Sequence, residues 1–103
     1  MIEILELINS PRANKRFRVM INQDGKVKHF DFGLDTGHTY IDHADSAKRE
    51  AYRKRHYANK KENELIDNLI PSPALFSYYL LWGDSEDIIE NIVALQKLFN
   101  NLN

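Results

Sequence analysis

The chain contains no cysteine among its 103 residues, so disulfides and thiolate metal sites are excluded, and only histidine and carboxylate ligands remain. It has no run near the roughly 18 apolar residues that a bilayer span requires, so no membrane span is expected. The first residues, Met1-Ile2-Glu3-Ile4-Leu5-Glu6, place acids where a secretory signal carries bases. A soluble chain not exported by that route is the expectation. The sequence also lacks the strongly basic balance of dedicated nucleic-acid modules, its formal net charge being −1. With only three prolines and four glycines and no internal repeat, each breaker marks a boundary between elements.

What is present is the composition of a folded domain, 43% hydrophobic and 11% aromatic. A chain of this length forms one domain, residues 1–103, and buries roughly two thirds of its unfolded surface. The near-zero net charge conceals a division along the chain. Residues 1–43 are neutral, residues 44–61 carry +5 and residues 62–103 carry −6. Such asymmetry predicts either a basic helix neutralised by acidic ones or two faces for partners of opposite sign.

In the first third, Phe17, Val19 and Ile21 alternate with Arg16, Arg18 and Met20, the pattern of a half-buried strand. Asn22-Gln23-Asp24-Gly25 is hairpin-turn chemistry, and the next strand sets Phe30 and Phe32 on one face against Val27, His29 and Asp31 on the other. Ile2 to Ile8 fits neither period cleanly, and its shortness before Asn9-Ser10-Pro11 favours a strand. Gly33 and Gly37 bracket a loop that leads into an extended, polar stretch at His38.

A helix is expected from about residue 44 to 58, capped by Asp42 or Asp45. Ala47, Ala51 and Ala58 share one narrow face, which predicts a hidden packing edge, while Arg49, Arg53, His56 and Lys60 share another that stays available. Leu65, Ile66, Leu69 and Ile70 predict a short helical piece. Ser72-Pro73 opens a helix that is apolar almost all round to Trp82 and should be the most buried. Gly83 ends it. Asp84-Ser85-Glu86-Asp87 starts a last helix lined by Ile88, Ile92, Leu95, Phe99 and Leu102, with Ile89, Val93 and Leu98 widening its apolar face. The fold class is therefore α+β: a small antiparallel sheet within residues 1–33 packed against three to four helices within 38–102.

His29, Asp31, His38, Asp42 and His43 supply hard-metal ligand types, but their spacing matches no metal motif, and no metal or other cofactor is expected. Ser46 and Ser72 are explained by helix starts, which leaves no nucleophile for a His–Asp pair; no enzyme activity, catalytic residue or small-molecule substrate is expected. Lys48, Arg49, Arg53, Arg55, His56 and Lys60 form a cationic stripe whose arginines either pair internally with Asp42, Asp45 or the acidic last third, or meet carboxylates on a protein partner or nucleic-acid phosphates. Tyr78, Tyr79 and Trp82 are candidate interface aromatics, although core filling explains them as well.

Several stretches combine into one pattern: Lys15-Arg16-Phe17-Arg18-Val19, Asp24-Gly25-Lys26, His29 to Gly33, Tyr40 to Asp45, Lys48 to His56 and Ser72 to Gly83. Over roughly residues 10–99 the chain resembles a family of small proteins encoded by large double-stranded DNA viruses of eukaryotes, the giant-virus and algal-virus group. The resemblance implies a minor capsid or capsid-associated protein, made in the host-cell cytoplasm and carried in the virion, whose partners are larger coat proteins. Met1 to Ile8 precedes the matched pattern and is expected to act as an extra edge strand open to a neighbouring subunit. The alternative role is a nucleic-acid-binding accessory protein using residues 44–61.

Overall fold

Side-chain alternation builds the first third into a three-stranded antiparallel sheet of β1 (Ile2–Asn9), β2 (Lys15–Gln23) and β3 (Lys26–Leu34), in that spatial order. The computed structural model describes residues 1–102. Asp24 and Gly25 both take positive φ, 54° and 87°, as a two-residue hairpin turn needs to follow the twist of its strands. Val19, Ile21 and Phe32 point to the covered face and are fully buried. The irregular pattern of β1 has a local cause. The pairing register shifts between Ile4 and Glu6, so Ile4 lies opposite Ile21 and Leu7 opposite Val19, both on the covered face, with Leu5 as the extra residue of a β-bulge.

The remainder is helical: α1 (Tyr40–His43), α2 (Ser46–Ala58), α3 (Lys60–Asp67), α4 (Pro73–Phe76) and α5 (Ile88–Asn100), with α4 running directly into a π-helical turn, Ser77–Leu81. The expected α+β class holds. In place of an extended stretch after His38 stands the single turn α1, closed by Thr39 and Asp42 and ended by Ala44 in the left-handed region. Asp45 caps α2 by accepting from the amides of Ala47 and Lys48. Ser72 caps α4 by accepting from Leu75 N–H, with Pro73 at the first helical position.

The covered face of the sheet meets α4 with its π turn on the β3 side and α5 on the β1 side. Leu75, Phe76, Leu80 and Leu81 are buried there beside Leu95 and Phe99, each such side chain contributing about 1.5–3 kcal/mol. The segment from Pro73 to Trp82 is central, as its composition predicts. The face of α5 is narrower than expected: Ile89, Val93, Leu98 and Leu102 are exposed. The outer edge of β1 is also less open than expected, because Gln96 of α5 accepts from Ile4 N–H at 2.7 Å and donates to the Ile2 carbonyl at 2.9 Å. Helices α2 and α3 form an outer layer: α3 packs on α4 and on α2, and Tyr52 of α2 stacks on Trp82 just past the π turn.

Candidate functional site

The orientation of α2 reverses the expected one. Ala47, Ala51 and Ala58 are exposed and no residue of α2 is fully buried, while Arg49, Tyr52, Arg53 and His56, at spacings of three and four, face inward. The physical reason lies at the far end of the central helix. A helix C-terminus leaves carbonyls without partners and carries partial negative charge, and guanidinium groups satisfy both needs. Arg53 donates through Nε to the Trp82 carbonyl at 2.9 Å and through a terminal nitrogen to Asp84 Oδ1 at 3.0 Å. Arg49 donates to the Asp84 carbonyl at 3.3 Å and to Glu50 Oε1 at 3.0 Å, and its guanidinium lies 4.4 Å from the centre of the Tyr40 ring. With 17% and 20% of their side-chain surface exposed, Arg49 and Arg53 are internal fasteners and not a free cationic edge.

Tyr52 stacks between two rings, 4.3 Å from Trp82 and 4.0 Å from His56. Burial pushes the Tyr52 hydroxyl up to about 12, so it stays protonated at any physiological pH. His56 Nδ1 lies 2.5 Å from Glu62 Oε2 without the alignment of a hydrogen bond, a contact that becomes an ion pair when the imidazole is protonated. Glu62 itself opens α3, whose first turn is capped by Asn59. The column Trp82–Tyr52–His56 thus joins the central helix to α2, and Glu62 joins α2 to α3.

Beside this column lies a cavity of about 460 Å³. Its floor is the buried pair Phe32 and Leu81, one wall is Tyr52, His56 and Trp82, and the opposite wall is the loop through Gly37, His38 and Thr39. That loop is held by a bidentate pair: Arg16 of β2 donates to both oxygens of Asp42 at 2.6 and 2.7 Å. Asp42 also accepts from Thr39 N–H at 2.8 Å, and these bonds hold its carboxyl well below the usual carboxylate range. Lys15, His38 and Arg55 line the mouth.

The six residues expected to form one stripe therefore separate. Arg49 and Arg53 bind the end of the central helix, Arg55 and His56 line the cavity, and Lys48 and Lys60 stand exposed. Of the aromatics, Trp82 joins the column, while Tyr78 and Tyr79 pack edge to face and half-buried, with Arg53 over the Tyr78 ring. Asp31 of the ligand-type residues is taken by Arg18 at 3.0 and 3.1 Å and by Ser10 at 2.6 Å. His43 Nδ1 accepts from Asp45 N–H at 2.9 Å. Among the described residues, no three histidines or acids come together as a metal site. Sequence reasoning missed Lys15, Tyr52 and Glu62 as members of one site. Nothing in their spacing joins a strand start, a mid-helix tyrosine and a helix-start acid, and only the packing of α2 against Trp82 does so.

No curated protein and no solved structure matches the chain. One family model matches residues 5–56, which covers the sheet from Leu5 of β1 onward, α1 and α2 as far as the pocket-lining His56. That span is 52 of 103 residues, and the chain belongs to this family of unknown function, DUF5754.

Proposed function

We propose that the protein is a non-enzymatic assembly component that joins larger proteins, in the setting of a large DNA virus particle as a minor capsid or capsid-associated protein. The observation that carries the adhesive part is the outward side of α2. Ala47, Ala51 and Ala58 are exposed there, with Lys48 and Arg55 on one flank and Lys54 on the other. Among the described residues, none of these three cations makes an ion pair. A strip of methyl groups lets a partner backbone approach closely, and flanking cations select a partner bearing carboxylates. Exposed Ile89 and Val93, one turn apart on α5, supply apolar anchors of the kind that carry most of an interface's affinity. The viral setting rests on the motif resemblance over residues 10–99, with synthesis in the host-cell cytoplasm.

Mass spectrometry of purified particles from a virus encoding the chain tests the setting: presence at fixed stoichiometry to the coat proteins is expected, and absence discards it. Exposed Lys48, Arg55 and Lys60 equally suit phosphates, so DNA and RNA binding by the purified chain is measured alongside. Counterion release makes a phosphate-driven complex lose orders of magnitude in affinity between about 50 and 200 mM salt. No binding at the lower salt is expected; tight, salt-sensitive binding replaces assembly with nucleic-acid recognition.

A further inference from the structure

The cavity beside the aromatic column shares Arg55 with the proposed assembly face and otherwise combines features that the assembly role does not use. Its volume of about 460 Å³ lies in the range of small-molecule sites, roughly 300–1,000 Å³. Its floor and inner wall, Phe32, Leu81 and Trp82, are apolar, whereas its mouth carries Lys15 and Arg55. Among the described residues, neither cation has a carboxylate within ion-pair reach. The one acid in the lining, Glu62, is in contact with His56. Two positive charges at the entrance of an apolar hollow outnumber the single carboxylate of its lining, and so attract a molecule of opposite sign and shelter its apolar part.

We propose that this cavity binds a small organic anion, its ring-sized apolar body lying against Phe32, Leu81 and Trp82 and its single carboxylate or phosphate group reaching Lys15 and Arg55. Arg55 offers a forked donor that matches either headgroup, and Lys15 adds a point charge from the start of β2. The loop at Gly37 to Thr39, pinned by the Arg16–Asp42 pair, keeps the hollow formed without ligand. This inference is independent of the assembly role: either stands if the other fails.

Trp82 is the only tryptophan, so its fluorescence and its indole N–H resonance report on the cavity directly. The full chain is titrated with phenyl phosphate, benzoate and the neutral benzyl alcohol. Saturable changes at Trp82 are expected for at least one anion, with a Kd of about 1 mM or tighter as suits a ligand of this size. The tighter of the two names the headgroup, and benzyl alcohol binds at least about tenfold more weakly. Double replacement Lys15→Ala with Arg55→Ala weakens the anion about tenfold or more and leaves benzyl alcohol unchanged. Lys48→Ala with Lys54→Ala removes the same charge away from the cavity and leaves both unchanged. The proposal is overturned if none of the three ligands perturbs Trp82, if the neutral compound binds as tightly as the anions, or if the distant pair of replacements weakens binding as much as the pair at the mouth. Circular dichroism of each variant establishes that it is folded.

Discussion

Asn91 is 3% exposed, and its amide is fully used: Nδ2 donates to the carbonyls of Leu80 and Ser85 at 3.0 and 2.8 Å, and Oδ1 accepts from Ser85 N–H at 3.0 Å. One side chain of α5 thus satisfies the backbone where the central helix ends. Gly83 makes this possible, since a Cβ there would lie 2.7 Å from Asn91 Cγ and 2.2 Å from the Tyr79 carbonyl oxygen. Asn91→Leu keeps the branched shape of the side chain and strands three backbone groups, so urea denaturation should show a loss of about 2–4 kcal/mol. The opposite sign is expected at Ala44, an exposed non-glycine residue at φ 54°. Ala44→Gly removes the left-handed strain at the end of α1 and should raise stability by about 0.5–1 kcal/mol, net of the extra freedom glycine gives the unfolded chain.

At the scale of elements, α2 is held by contacts that its own sequence does not announce. Arginines spaced by four read the same whether they face solvent or the carbonyls of Trp82 and Asp84, 29 to 35 residues away. The alanine stripe misleads for a related reason: alanine favours a helix whether its methyl is buried or exposed. The hairpin, the central helix and the last helix were legible because alternation, caps and breakers act within a few residues. The bulge at Leu5 hid the phase of β1 by putting Ile4 and Leu7 on one face. A direct comparison checks the inward reading of α2. Arg53→Met keeps the aliphatic stem and removes the bonds to Trp82 and Asp84, and should cost about 1–2 kcal/mol. Lys48→Met, on an exposed cation with no ion-pair partner among the described residues, should stay within about 0.5 kcal/mol of the parent. Equal effects at the two positions would return Arg53 to the solvent edge.

For the molecule as a whole, two carboxylates tie the strands to each other and to the helical turn α1. Arg18, with Ser10 assisting, holds Asp31 down to about 2, and Arg16 holds Asp42 lower still. Both groups release their protons more readily in the folded chain than in the unfolded one, where the carboxyl titrates near 3.8. The stability they contribute is therefore complete above about pH 4–5 and is lost as the pH falls toward 2, where the folded state must also take up protons. Unfolding free energy from these groups should be flat between pH 7 and 5 and decline below about 4. Asp31→Asn separates this linkage from a generic acid effect. The variant should be less stable than the parent at pH 7, and the gap should close as the parent's own Asp31 becomes protonated near pH 2. A gap of constant size across that range would mean that the Arg18 pair contributes through shape alone and that the acid sensitivity arises elsewhere.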